Sequence, residues 1–279
     1  MFRYHTSSKG QAILASEATL INGLGHYASE PNTSLAIINV QQSVRYRFRL
    51  VAISCDPNFV FSIDNHNMVS SRRRFQFVFI PRALIHTVQT IIEADGGLTQ
   101  PLVVDSIQIY AGQRYSFILT ADQPVANYWI RANPNNGNTG FTDGINSAVL
   151  RYIGASVDTD PTTTQTTSNP LLEQDLHPFN TSDVVPGSPN LGEADVSINL
   201  DIGFNATSFL FTVNNATFTP PTAPVLLQIL SGARTAQELL PSGDVYVLPS
   251  NKVIEVTIPG GNGLGPPVSP SSGVGVIYR

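Results

Sequence analysis

The chain has 279 residues, of which 42% are apolar and 13% are charged, so it can bury a sizeable core with about half the usual share of charge. The formal net charge of −5 argues against partners that need a basic surface, and we expect neither a nucleic acid nor a membrane as a partner. No apolar run reaches the length of a transmembrane helix. The single cysteine, Cys55, excludes an internal disulfide and cysteine-rich metal clusters.

Short apolar runs at regular spacing predict β-strands. In residues 44–53, Tyr46, Phe48 and Leu50 alternate with arginines, as in a half-buried strand. The other predicted strands are 35–40, 59–64, 102–110, 114–120, 127–133 and 148–153. Gly, Pro, Asn and Asp separate them, which is typical of an antiparallel sandwich or barrel.

Two stretches depart from this pattern. Residues 69–89 carry several arginines and the apolar run FQFVFI, which is an aggregation risk if exposed. Residues 156–193 are rich in Thr, Pro and Ser and are predicted to be a linker. A second β segment follows, with strands predicted at 196–204, 208–213, 216–230, 245–249 and 253–259 and a helical turn or two at 235–240.

Four Asn-x-Ser/Thr sequons are mild evidence for a secretory origin, although the N-terminus lacks the apolar stretch of a signal peptide. The possible N-glycosylation sites are Asn32, Asn180, Asn205 and Asn215.

Local motifs are weak by themselves. Residues 23–28 match G-x-G-x-x-A, but no helical period follows, so we predict a turn. Glu93 and Asp95 could be an acid–base pair, although carboxylates two residues apart on a strand are common. Asp56 precedes Pro57 and reads locally as a turn. The five histidines lie more than four residues apart, so local metal-ligand pairs are absent from the sequence.

Longer segments resemble a known family. They include ATLINGLG (18–25), RYRFRLVAISCDPNFVFSID (45–64), QPLVVDSIQIYAGQRYSFIL (100–119), NYWIRANPN (127–135) and FTPPTAPVLLQILSGA (218–233), and they resemble the fungal laccases, which are multicopper oxidases. The resemblance covers nearly all of the chain outside 1–17, 69–89 and the last dozen residues. It implies an all-β fold, a cupredoxin-like Greek-key β-sandwich, with one complete and one truncated domain.

The resemblance also implies a domain arrangement. It predicts an irregular N-terminal remnant (1–17), a domain like the second laccase domain (18–155, with the atypical insert 69–89), a linker (156–193) and the truncated start of the third domain (194–279).

The family is implied to oxidise phenols and aromatic amines with copper, to reduce O2 to water, to be secreted and to degrade lignin. Its copper ligands lie in His-x-His-type motifs, which this sequence lacks. We therefore expect no copper on this chain, no catalytic residue in it and no activity of the chain alone. The alternatives are a non-enzymatic module that retains a phenol pocket, or a non-functional mis-spliced product.

By resemblance, Asp56 binds the phenol or amine and helps to take its proton. The implied substrate pocket comprises Asp56, Asn135, Asn136, Phe204, Phe209, Leu264 and Gly265. Asn136 stands where the family often has an aromatic residue. Cys55 resembles a disulfide cysteine whose partner lies in the absent first domain, so we expect a free thiol.

Retained introns would explain the two breaks in the resemblance. Val69-Ser70 can be encoded by GTAAGT and Gln89 by CAG, which are the two splice-site consensus sequences. Val268-Ser269, at the second break, can be encoded by the same GTAAGT sequence. The rival hypothesis is a natural insertion loop with a degraded terminus.

Overall fold

The structure, a computed structural model, describes residues 18–27, 33–54, 58–66, 89–165, 168–180, 187–188, 190, 192–240, 243–259 and 274–278. The chain divides into a first unit within Ala12–Asp183 and a second unit within Val184–Arg279. None of the helices in the described ranges is long and apolar enough to cross a membrane.

Two sheets build the first unit. Its strands are β1 (Ile37–Val40), β2 (Arg45–Val51), β3 (Phe59–Ile63), β4 (Gln89–Ala94), β5 (Gly97–Val103), β6 (Ser106–Ile109), β7 (Arg114–Thr120), β8 (Asn127–Pro134) and β9 (Ser147–Tyr152). One sheet has the order β1-β9-β8-β3-β6 and the other β2-β7-β4-β5. β1 runs parallel to β9, and the remaining pairs in these two sheets are antiparallel.

The core lies between the two sheets. The ring of Phe61 on β3 is 5.9 Å from that of Phe117 on β7, and Phe48 on β2 stacks on Phe117 at 5.3 Å. Burial alternates along β2, with its arginines on the more exposed face, as the period of two predicts. The predicted β-sandwich is thereby confirmed.

The prediction of one strand over 102–110 is wrong, because Asp105 divides it. β5 belongs to one sheet and β6 to the other. The buried Asp105 carboxylate accepts hydrogen bonds from the backbone N–H groups of Ser168 and Asn169. A buried carboxylate needs such donors, so the chain changes sheets at this residue.

Residues 156–165 and 168–180, together called the strap, follow β9 in the first unit and pack against its strands. Asn127 donates to the carbonyls of Ser156 and Thr159, both at 2.8 Å. Further along, Gln165 donates to the Ser62 hydroxyl at 3.0 Å. Leu171 is buried in the core. The strap was predicted to belong to a linker, and its hydrogen bonds attach it to β8 and β3, two interior strands of the five-stranded sheet.

A buried ion pair joins the strap to the end of β3 and to the middle of β8. Arg131 on β8 donates two hydrogen bonds to the Asp64 carboxylate, at 2.7 and 2.6 Å. Thr163 of the strap donates its hydroxyl to the same carboxylate at 3.0 Å. Both charged side chains are buried, so they stabilise the fold only while each keeps its partner.

The second unit contains shorter elements. They are β10 (Val196–Asn199), β11 (Ile202–Asn205), β12 (Leu210–Val213), α1 (Val225–Leu230), α2 (Ala236–Leu239), β13 (Ile254–Ile258) and β14 (Val274–Tyr278). β10, β13 and β14 form one sheet, and β11 and β12 form a hairpin.

Three strand predictions in the second unit are wrong. The strand predicted over 196–204 is divided, because β10 and β11 belong to different sheets. The apolar run within 216–230 is the helix α1, and Pro224 stands at its N-terminal cap. A short apolar run does not distinguish a buried strand from a helix, and a helix start favours a nearby proline. Residues 245–249 form no strand. The helical turn expected within 235–240 is confirmed as α2.

The buried His66 side chain follows β3. Its Nδ1 lies 2.7 Å from the Asp64 carbonyl and therefore donates to it, which leaves Nε2 to accept from the Tyr152 hydroxyl at 2.9 Å. Burial is the main cause that lowers the pKa of His66 below its ordinary value of 6.5.

This pKa shift predicts an acid-sensitive first unit. The unfolded chain takes up a proton near pH 6.5 and the folded chain only at lower pH, so stability is complete above that value and falls as the pH drops below it. Urea unfolding between pH 5 and 8, followed by Trp129 fluorescence, should lose up to about 1.4 kcal/mol per pH unit in this window. His66→Gln should remove that slope, and His177→Gln, at an exposed position, should keep it. An unchanged slope in His66→Gln would contradict the assignment.

Asp64→Asn should destabilise the first unit by about 3 kcal/mol, because it leaves the Arg131 guanidinium buried without its counter-charge. The matched control is Asp95→Asn in the exposed pair of Asp95 with Arg114, where we expect a change within about 1 kcal/mol. Urea unfolding at pH 7.5 measures both. Equal changes in the free energy of unfolding would show that the buried pair is no more important for stability than the exposed one.

Candidate functional site

The described members of the predicted pocket lie in two places. Asn135 and Asn136 follow β8 in the first unit, and Phe204 and Phe209 lie on the hairpin of the second unit. The remaining predictions, namely Asp56, Leu264, Gly265 and Cys55, lie outside the described residues.

Asn135 bonds the backbone of Asn58, which lies two residues after Asp56 in the sequence. Its Oδ1 accepts the backbone N–H of Asn58 at 3.1 Å, and its own N–H donates to the Asn58 carbonyl at 3.0 Å. Gln108 donates to the Asn58 side chain at 3.2 Å. The sequence suggests a substrate contact for Asn135, and the structure adds a positioning contact to the residue two places after Asp56.

Three phenylalanines cluster on the hairpin. Phe204 meets Phe209 edge-to-face at 6.2 Å and Phe211 at 5.2 Å. Phe209 is 73% exposed and has a φ of +56°, which a bulky side chain rarely adopts. Asn205 closes the turn, since its side-chain oxygen accepts the N–H groups of Thr207 and Ser208. An exposed aromatic residue is thus held in a strained conformation, a combination that suggests a functional position.

The described residues do not provide a copper site. They contain no group of three or more His, Cys, Asp and Glu side chains placed to share a metal ion. His66 uses both ring nitrogens in hydrogen bonds. Imidazole binds copper through a free nitrogen, so the donor set found here does not fit the metal.

Glu93 and Asp95 do not form an acid–base pair. Glu93 bonds Ser116 and Arg47, and the hydrogen bond from Ser116 is the main cause that lowers its pKa. Asp95 instead accepts the backbone N–H of Arg114 at 2.8 Å. Each carboxylate therefore has its own partners.

The turn predicted at residues 23–28 begins as a tight turn, with reciprocal backbone bonds between Ile21 and Leu24.

A cavity of about 770 Å³ in the first unit was not anticipated from the sequence. Trp129 and Phe141 form one part of its lining, and His26, Thr142 and Asp160 contribute polar groups. The single tryptophan of the chain was the available signal, but the pairing of residues so distant in sequence was not readable without the fold.

Comparison with known proteins identifies the protein family to which the chain is similar. The family model described as multicopper oxidase matches residues 3–69 and 86–155. Among solved structures, the laccase from Botrytis aclada has a TM-score of 0.59 at 23% identity, covering 88% of this chain and 42% of that one. Fet3p, a multicopper oxidase that functions in iron import, gives 0.58 at 21% identity, covering 81% and 40%. These likenesses confirm the cupredoxin-like fold.

Curated relatives within this family are laccases. Laccase-2 of Trametes versicolor is 57% identical over 259 residues, which are 92% of this chain and 45% of that protein. Laccase-2 of Pleurotus ostreatus is 54% identical over 257 residues, which are 92% and 44%. The chain belongs to the multicopper oxidase family, and the predicted resemblance to fungal laccases is confirmed. It spans a little under half the length of these relatives.

The positive φ of Phe209 predicts that glycine is more stabilising than alanine at this position, the reverse of the usual order in a strand. Phe209→Gly should be more stable than Phe209→Ala by about 1 kcal/mol, because both remove the ring and only glycine relieves the backbone. Calorimetric unfolding of the full chain measures the difference.

The matched control is Phe211, on β12 in the same cluster. There we expect the ordinary order, with the alanine variant the more stable by about 0.5–1 kcal/mol. The same order at both positions would argue against backbone strain at Phe209.

Proposed function

We propose that the chain is the substrate-side part of a laccase-type multicopper oxidase, and that it binds phenols or aromatic amines without oxidising them alone. The observation that carries the proposal is the identity of 57% over 92% of the chain to a protein named a laccase. The parts correspond to the second domain and the start of the third, with boundaries as predicted from the sequence.

Each proposed pocket residue has a distinct task. The carboxylate of Asp56 accepts the hydroxyl or amine hydrogen of the substrate. Asn135 holds the backbone of Asn58, two residues further along the chain. Phe204 and Phe209 supply an apolar wall for the aromatic ring. Leu264 and Gly265 complete the wall, and Asn136 makes this side of the pocket more polar than an aromatic residue would.

Copper is the cofactor of the family, but this chain's own donors do not suit it. The sequence has five histidines and one cysteine, with none of the His-x-His motifs that the resemblance requires. His66, moreover, is committed to Asp64 and Tyr152. We therefore propose that the chain holds no copper by itself.

An extracellular location is part of the proposal. Three of the four sequon asparagines, Asn180, Asn205 and Asn215, lie in the described residues and are exposed. Exposure is what glycan attachment requires. Asn32 lies outside the described residues.

The second candidate is a non-functional mis-spliced product. It is favoured by the gap in the family match between residues 69 and 86, which falls within the insert 69–89. Sequencing the mature transcript tests it. A message that joins codon 68 to codon 90 would make the insert an intron, whereas a translated insert would favour a loop.

Phenol binding without turnover is the expected behaviour of the purified chain. Calorimetric titration with 2,6-dimethoxyphenol should give saturable binding. Asp56→Asn should weaken it about tenfold, because the hydrogen bond then loses its charged acceptor. The control Asp95→Asn, at an exposed position, should bind as the parent does.

Oxygen consumption after incubation with Cu(II) completes this test. We expect none above the rate of free copper. Copper-dependent turnover would refute the proposal that the chain is inactive alone, and equal phenol affinity in both variants would refute the role of Asp56.

A further inference from the structure

The two sheets of the first unit have four edge strands, and the strap lies along two of them. At β5, Gln100 donates its backbone N–H to the His177 carbonyl at 2.8 Å. At β6, the Ser106 carbonyl accepts the backbone N–H of Leu171 at 2.8 Å. Among the described strands, β1 and β2 each pair on one side only. Since β1 has four residues and β2 has seven, β2 is the longer open edge.

The backbone groups at the open edge of β2 belong to its odd-numbered residues. Just after the strand, Ala52 donates its N–H to the Gln113 carbonyl at 3.1 Å. Just before it, the Val44 carbonyl accepts the N–H of Ala121 at 2.9 Å. Bonding alternates along an antiparallel strand, so the even-numbered residues face β7 and the odd-numbered ones face outward. The odd-numbered residues are Arg45, Arg47, Arg49 and Val51.

The three arginines at this edge are exposed, and they differ in whether they have a counter-charge. Arg47 pairs with Glu93 on β4. Arg45 and Arg49 take part in none of the ion pairs among the described residues, although Arg49 lies within electrostatic reach of Glu93. Alternate side chains of a strand share a face, so Arg45 and Arg49 stand about 14 Å apart with a neutralised pair between them. The edge is thus locally basic in a chain of net charge −5.

The same charges disfavour a second copy of the chain at this edge. β2 contains neither a proline nor a bulge that would prevent pairing. Side chains on one face of two neighbouring strands lie directly opposite each other, so a second β2 would set arginine against arginine. Like charges in that position are destabilising, whereas carboxylates in the same position are stabilising.

We propose that the open edge of β2 binds an extended acidic peptide segment as an added antiparallel strand, with carboxylates opposite Arg45 and Arg49 and a neutral residue opposite Arg47. Backbone hydrogen bonds supply the affinity, and the spacing of the carboxylates supplies the selectivity.

The remaining positions of the added strand follow from the neighbours of the arginines. A carboxylate opposite Arg47 would lie close to Glu93 and be repelled, so a neutral side chain fits there better. The residues between these positions lie on the face of Tyr46 and Phe48, which are half-buried and pack against the core. Apolar side chains therefore suit them.

The test is a titration of a labelled peptide, Thr-Glu-Val-Thr-Val-Glu-Thr, with the full chain at low salt, followed by fluorescence anisotropy. We expect saturable binding. A peptide with lysine in place of both glutamates should not saturate, because it repeats the charge of the edge. A third glutamate in place of the central threonine should weaken binding. No saturation with the first peptide, or tighter binding of either altered peptide, would overturn the proposal.

Methylation of the peptide nitrogens separates strand addition from charge attraction. The N–H groups of the two glutamates and the central threonine point toward β2, and their methylation should abolish binding. The N–H groups of the two valines point away from β2, and their methylation should preserve it. Equal binding of the two methylated peptides would mean that charge alone attracts the peptide, as it would any linear polyanion, and would overturn the proposal.

Arginine variants test the same contacts from the side of the protein. Arg45→Gln combined with Arg49→Gln should weaken the peptide affinity about tenfold, through loss of two exposed ion pairs. The matched control combines Arg234→Gln with Lys252→Gln, which removes the same charge at exposed positions of the second unit and should bind as the parent does. Equal weakening in the two double variants would show that net charge governs binding, and would overturn the assignment to β2.

Discussion

The buried pair of Asp64 and Arg131 is the interaction on which the first unit depends. Asp64 follows β3, Arg131 lies on β8, and the strap reaches the same carboxylate through Thr163. Arg131 then supports Phe141 from behind. One neutralised charge pair therefore fixes the end of β3, the strap and the aromatic side of the cavity. Removing either charge would leave the other one buried without a counter-charge, which would destabilise the first unit.

The fold was readable where the local pattern and the tertiary context agree. The alternation in 44–53 predicted β2, and β7 matches its predicted range residue for residue. The strand prediction for 102–110 failed because Asp105 finds its donors in the strap, more than 60 residues away. Of the pocket, the sequence supplied candidates through resemblance, but the contact between Asn135 and Asn58, the strain at Phe209 and the cavity beside Trp129 depend on backbone geometry.

The position of the insert explains how the first unit tolerates it. β3 lies in the five-stranded sheet and β4 in the four-stranded sheet, so residues 64–88 connect two sheets rather than two paired strands. Such a connection is not constrained by a hairpin register, and its closure entropy grows slowly with length. Of the insert, only its last residue, Gln89, is described, and it pairs with Leu119 on β7. The same insertion between β4 and β5, which form a hairpin, would disturb their pairing.

The parallel pairing of β1 with β9 has a mechanical consequence. The first and last strands of the sandwich lie side by side in register, from Ile37 opposite Val149 to Val40 opposite Tyr152. Because the two strands run in the same direction, tension on the chain before β1 and after β9 acts along the strands. It loads their hydrogen bonds together, in shear, instead of opening them one at a time. The strap adds further bonds beyond β9, so a pull on its far end would first peel the strap away and then meet the full resistance of this edge.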